Sequence, residues 1–249
     1  SAVQTVTAPA GSIVSSQFSS SDIGITGNLG VGTTSPTQAI EAAGNIFINT
    51  SGNPFLEVKT SGAGNNPFIR IKADTNYWDL QTLFSNTNDE LDFRYNGTST
   101  MMIDKSGAVT KPLQPAFLVK PSTSLNNTAI GTTTIAFATE VYDVNGDFAS
   151  NTFTAPVTGK YHFNLHMRLD QIDISSSYYQ LRLVTSNRIY YAIFDPDLAD
   201  GDFSYFMLVI NVLADMDAGD TAYGDMQISG GAAQMDVKQD SHFSGFLAC

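Results

Sequence analysis

An all-β chain ending in a β-sandwich is the fold class that the sequence predicts, and three observations carry that expectation. Apolar Tyr161, Phe163, Leu165, Met167 and Leu169 take every odd position, while His162, Asn164, His166, Arg168 and Asp170 take the even ones. A period of two marks a strand with one buried face. The 249 residues are 42% hydrophobic but only 14% charged, with abundant Gly, Ser, Thr and Asn, a mix that suits tightly turned β-structure. Helical periodicity is almost absent; its best candidate, Thr37–Ala43, lasts barely two turns.

Residues 1–22 are Ser, Thr, Ala, Val and Gln in loose order and predict an extended arm. The glycines of Ile23–Pro36 superficially suggest a phosphate-binding loop, but no Lys follows them and no strand-loop-helix pattern frames them. The segment Gly27-Asn28-Leu29-Gly30-Val31-Gly32-Thr33-Thr34-Ser35-Pro36, extended by Ala43–Ile48, instead resembles stem segments of bacteriophage tail fibres and related adhesins. Two copies of Asn-Pro-Phe follow, at Asn53–Lys59 and Asn66–Lys72, and each predicts a strand introduced by a proline turn. Further short strands are expected at Tyr77–Phe84, Glu90–Tyr95 and Met101–Asp104, with turns at Asn86–Asp89 and Asn96-Gly97. So few residues make a thin core, and burial against identical neighbours is the economical solution. Lys111–Pro115 is a proline-flanked joint. The resulting division is an extended stem over 1–50, a small intertwined β-domain over 51–112 and a head over 113–249.

Within the head, Pro156 and Gly159 read as a corner feeding the Tyr161 strand, Gly159 being tolerant of positive φ. The run Phe203–Leu213 is apolar on both parities, so each of its faces needs cover. Phe206, Leu208, Ile210 and Val212 are the trimer-contact candidates, because burying one large apolar side chain stabilises by roughly 1.5–3 kcal/mol.

Phe137, Asp143, Phe148, Phe153, Gly159, Tyr161 and Phe163, then Ala218-Gly219-Asp220, then Phe243-Ser244-Gly245-Phe246-Leu247, occur in that order. This series resembles the C1q globular-head family, jelly-roll trimers related to tumour necrosis factor, over roughly residues 115–249. The resemblance implies a C-terminal jelly roll with a core including Phe137, Phe153, Gly159, Tyr161, Phe163, Phe243, Gly245 and Phe246, assembled as a homotrimer. Two positions depart from the family pattern: the gap from Phe148 to Phe153 is short, and Leu165 stands where an aromatic is usual.

The formal net charge of −12 is uneven. Residues 1–112 hold 9 acidic and 6 basic side chains and residues 113–249 hold 15 and 6, giving −3 and −9. Such a head repels phosphate backbones and anionic lipid, so nucleic acid is excluded as a partner. Cys249 is the single cysteine, no collagen-like repeat is present, and no apolar run approaches membrane-spanning length. These features predict folding in a reducing bacterial cytoplasm without membrane insertion.

No nucleophile elbow, metalloprotease or dinucleotide-binding pattern occurs, and no enzymatic activity is expected. His162 and His166 lie about 13 Å apart along a strand and cannot share a metal within one chain, although a threefold axis would gather copies of either. His242 has no evident sequence partner. Asp195, Asp197, Asp200 and Asp202 form the densest acidic run and the candidate Ca²⁺ site, against the favoured reading of a solvated turn. Otherwise no cofactor is expected. The receptor-contact candidates are Asp173, Ser175, Tyr178, Tyr179, Asp195, Asp197, Asp200 and Asp202, on loops that a rigid sandwich would expose; Tyr190 and Tyr191 are further aromatic candidates for stacking on sugar rings.

The function expected from these resemblances is that of a phage tail-fibre adhesin. Its trimeric head would bind a host cell-surface receptor or glycan, and its stem would bind other virion proteins. The rivals are a purely structural virion part, such as a collar whisker or capsid fibre, and a bacterial surface adhesin.

Overall fold

The computed structural model describes residues 29–31, 37, 40–42, 45–46, 56–60, 65–84 and 89–249. The chain divides into two compact units, Ser1–Glu57 and Val58–Cys249. In the first unit, β1 (Leu29–Val31) and β2 (Ile40–Ala42) pair in parallel. Residues 40–42 fall inside the helical candidate Thr37–Ala43, so that expectation is corrected. Seven residues are too few to offset helix nucleation, whereas a ladder supplies backbone partners at once. The predicted arm over 1–22, most of the Ile23–Pro36 segment and most of the Asn86–Asp89 turn lie outside the described residues.

The second unit begins with an antiparallel five-stranded meander of β3 (Phe68–Ala73), β4 (Asn76–Phe84), β5 (Asp89–Tyr95), β6 (Thr98–Asp104) and β7 (Val109–Thr110). The second Asn-Pro-Phe copy does enter a strand, but Leu56–Lys59 of the first copy forms none, a correction to the paired-strand reading. Alternation within the meander separates two chemistries. Ile71 faces Trp78 and Trp78 faces Tyr95, while Leu80 faces both Ile69 and Phe93, so these side chains share one face. Most of them are exposed. On the opposite face the buried Asp79 carboxylate accepts from Arg70 Nε and Nη2 at 2.7 and 2.9 Å, which holds its pKa below the usual carboxylate range. The same guanidinium lies 3.9 Å from the Tyr77 ring centroid, so Arg70 is engaged on its own face, whereas the apolar face is left largely exposed.

The head comprises β8 (Ala116–Lys120), β9 (Gly131–Thr134), β10 (Thr139–Asp143), β11 (Phe148–Ala149), β12 (Thr152–Thr154), β13 (Gly159–Ile172), β14 (Ser176–Thr185), β15 (Ile189–Phe194), β16 (Phe203–Met216), β17 (Thr221–Gly230), β18 (Asp236–Val237) and β19 (His242–Leu247). One sheet runs β10-β8-β19-β13-β16, with β18 beside β13; the other runs β11-β12-β17-β14-β15, with β9 beside β17. Together they form a jelly-roll sandwich whose core lies between them. The odd side chains of β13 from Tyr161 to Leu169 are wholly buried, as the period of two predicts. Phe117 lies at the centre of an aromatic cluster, 4.9 Å from the ring centroids of both Phe153 and Phe243 and 5.1 Å from Phe148.

The short gap from Phe148 to Phe153 has a simple cause. Phe148 and Phe153 are cross-strand partners, and Ser150 and Asn151 close the hairpin with φ of 51° and 65°. Two successive residues at positive φ make the tight turn that matches strand twist, with no room for more chain. Gly159 is required for a different reason from the one expected. Its φ is not in the left-handed region; a Cβ there would lie 2.7 Å from the Cys249 carbonyl oxygen and from the Leu247 side chain. Phe137, Phe153, Tyr161, Phe163, Phe243 and Gly245 are buried as expected, but Phe246 is not. It points outward because Gly245, one residue earlier, fills the inward position against Phe163 and Phe117.

Candidate functional site

The two loops expected to face a receptor lie together at one end of the sandwich. Asp202 joins them: its carboxylate accepts from the Ile174 amide at 3.1 Å and from Gln234 Nε2 at 3.0 Å. Asp195 caps a 3-10 turn at Pro196–Leu198 by accepting from the Asp197 amide at 3.1 Å. Asp197 and Asp200 remain exposed, together with Ser175. Among the described residues no group of three or more His, Cys, Asp or Glu side chains converges as a metal site, so the four carboxylates of the Ca²⁺ candidate are not gathered into one.

Two of the receptor-contact candidates are corrected outright. Tyr179 is wholly buried, and its hydroxyl accepts from the Asp173 amide at 3.1 Å and pairs with Ser176 Oγ at 3.0 Å. Asp173 is buried as well. Its carboxylate accepts from Ser175 Oγ at 2.6 Å, the Ser175 amide at 2.8 Å and the Ala232 amide. Those hydrogen bonds, the Ser175 hydroxyl first, hold the Asp173 carboxyl below its ordinary pKa. Both residues build the loop and present nothing to a ligand; Tyr178 is half-buried. Sequence spacing hides this because Tyr179 lies on the inward parity of β14 only after the register shift between Ser176 and Tyr178.

Asp173→Ala is therefore expected to loosen the 173–176 and 230–232 segments, costing about 1–3 kcal/mol through stranded amide donors. Because the Asp173 pKa is depressed, its contribution is present above the unfolded value of about 3.9 and lost as pH falls through the folded one. Urea unfolding at neutral and acid pH checks both: the difference between parent and variant should shrink on acidification.

The apolar surface of the head is concentrated elsewhere, on the edge where β15 and β16 end the two sheets. Ile189, Tyr191 and Ile193 are 49%, 64% and 57% exposed, and Tyr205, Met207 and Leu213 are 71%, 49% and 55% exposed. An open groove of about 420 Å³ runs between the strands, lined by Ile189–Tyr191 and Val209–Val212. The trimer-contact candidates on β16 are thus on the wrong parity. Phe206, Leu208, Ile210 and Val212 stand opposite Leu169, Met167, Leu165 and Phe163 of β13 and face their own core. Leu208 and Ile210 are buried there, while Phe206 and Val212 are half-buried against it. A strand that is greasy on both faces does not reveal which face its own sandwich takes; the cross-strand register decides it.

A second apolar area lies on the outer face of the β13 sheet. Phe246 lies against His162 there, with ring centroids 5.2 Å apart and planes tilted by 33°, and Val141 and Tyr142 of β10 are exposed. Tyr190 is half-buried and Tyr191 is exposed, so only the second remains available to a ligand.

No curated protein matches the chain. Among solved structures, the globular domain of zebrafish complement 1qA is 21% identical, with a TM-score of 0.41, covering 54% of this chain and 98% of that one. Murine APRIL at pH 8.5 is 8% identical, with a TM-score of 0.40 and the same coverages. The C1q domain pattern matches residues 116–248. That match takes in more than half of the sequence and every strand of the sandwich from β8 to β19, and the chain belongs to the C1q domain family.

Proposed function

We propose that this chain is the stem-and-head portion of a homotrimeric attachment fibre, a phage tail-fibre adhesin whose head binds a receptor or glycan on a host cell. The observation that carries the trimer is the apolar edge of β15 and β16, with six large side chains between 49% and 71% exposed. In a threefold ring the edge does not meet its own copy. It docks on a different surface of the next chain, and the outer face bearing Phe246, Val141 and Tyr142 is the apolar surface available. Such a heterologous contact closes into a ring when the rotation between neighbours is cyclic. The unpartnered apolar face of the meander has the same need, and three copies around one axis would cover it. Family membership supports the reading, since C1q-type heads are associated with trimerisation. The assignment to a virion rests on the resemblance of the stem segment Gly27–Pro36 to tail-fibre sequences.

Three identical loop-bearing ends on one fibre convert weak single contacts into firm attachment through high effective concentration. The exposed groups for that contact are Ser175, Asp197 and Asp200, with Tyr178 at their side. A second reading, a structural virion fibre whose head serves assembly alone, draws on one observation: Asp173 and Asp195 are committed to their own loops and Asp202 to tying the two together. Competition separates the two. Saturating purified protein is expected to block adsorption of the virus that carries it; undiminished adsorption would favour the structural part.

A further inference from the structure

On the outer face of the sheet, His166 of β13 and His242 of β19 stand directly opposite each other in antiparallel register. Their rings are stacked, with centroids 4.8 Å apart and planes 15° apart. No ring nitrogen of either is taken by a hydrogen bond or ion pair among the described residues. Two imidazoles on one tetrahedral ion need donor nitrogens about 3.3 Å apart, given metal–nitrogen bonds of about 2.0–2.1 Å. The terminal torsion of His is broad, so tilting the two rings toward each other costs little.

The surroundings suit a cation. Arg168, two residues along the strand, is held by Asp170 at 3.1 Å and Asp240 at 2.9 Å, and Lys120 of β8, which follows the Val119 partner of Phe243, is exposed. Val209 of β16 lies beside His166 and brings no charge. Asn164, two residues along the strand, keeps a buried side-chain oxygen without a hydrogen-bond partner. His162, beside Phe246, is too far along the strand to join.

We propose that His166 and His242 form a chelating site for a divalent transition-metal ion of the Zn²⁺, Ni²⁺ or Cu²⁺ class. Imidazole pairs favour these ions over Ca²⁺ and Mg²⁺, which require oxygen ligands. With no third His, Cys, Asp or Glu converging among the described residues, water completes the coordination and binding is reversible. Both ligands belong to one chain, so the site takes no residue from a neighbour, but it shares the outer face with the surface proposed to receive the next chain's edge; titrating the Tyr191→Glu, Met207→Glu variant beside the parent lets the two readings fail separately.

The test is calorimetric titration of ZnCl₂ and NiCl₂ into untagged, EDTA-stripped full chain at neutral pH. Saturable binding is expected, weakened at least about tenfold by His166→Gln and by His242→Gln. His162→Gln should bind as the parent does. Circular dichroism verifies that the variants, all altered on the outer face, keep the fold. Absence of saturable binding by the parent would overturn the proposal, as would undiminished binding by the His166→Gln, His242→Gln double variant, which would assign the metal to surface carboxylates.

Discussion

Replacing Phe117 with Ala is expected to lower the stability of the head by about 3–5 kcal/mol, a large part of what holds a domain of this size together. Its ring touches both sheets' contributions to the aromatic cluster, with Phe153 and Phe148 on one side and Phe243 and Phe163 on the other. Deleting it leaves a cavity that surrounding strands, fixed by ladders, cannot close. Gly245→Ala attacks the same spot from the opposite direction. A Cβ at Gly245 would lie 2.5 Å from Phe163 Cδ1 and 2.8 Å from Phe117 Cε1, an overpacking worth about 1–3 kcal/mol or more. Phe246→Ala, on the adjacent but exposed position, should leave the fold of the single chain nearly unchanged. Urea unfolding of the full chain at fixed protein concentration measures all three, and equal losses at Phe117 and Phe246 would contradict the assignment of the core.

Tyr191→Glu combined with Met207→Glu is expected to reduce the proposed trimer to single chains that remain folded. Both side chains are about half exposed or more within one chain, so the substitutions disturb little there. In an assembly sealed by the β15 and β16 edge, each of three interfaces would bury two unpaired carboxylates. Burying an unpaired charge costs several kcal/mol, and the chain already carries −12, so the added charge also meets a repulsive field. The same exchange at Leu208 would be uninformative, since that side chain belongs to the core and its loss would unfold the head. A double variant that keeps the parent's mass would move the interface away from this edge.

Much of this architecture was legible because alternation is a physical signal. The β13 strand declares its buried parity because polar residues fill the other one, and the aromatic positions around it meet in one cluster. Where both parities are apolar, as in β16, the pattern says that two faces need cover and leaves their assignment to register. The same limit misplaced Phe246, whose outward position depends on which neighbour of Gly245 can enter a crowded core. Loop chemistry was less legible still. Asp173 looks like a solvent-facing carboxylate in sequence, yet it is drawn inward by amides, one of them from Ala232, 59 residues away, while the exposed Asp202 is tied to the Ile174 amide 28 residues away. The His166 and His242 pair is likewise a product of strand order: 75 residues of chain separate the two, and only the adjacency of β13 and β19 brings their rings together.

Self-association through the apolar edge of the sandwich is the claim on which the attachment function stands. Static light scattering on dilute, well-folded full chain tests it most directly. The account predicts a particle of three times the 26.7 kDa chain mass, stable on dilution. A monodisperse particle of 26.7 kDa would contradict it.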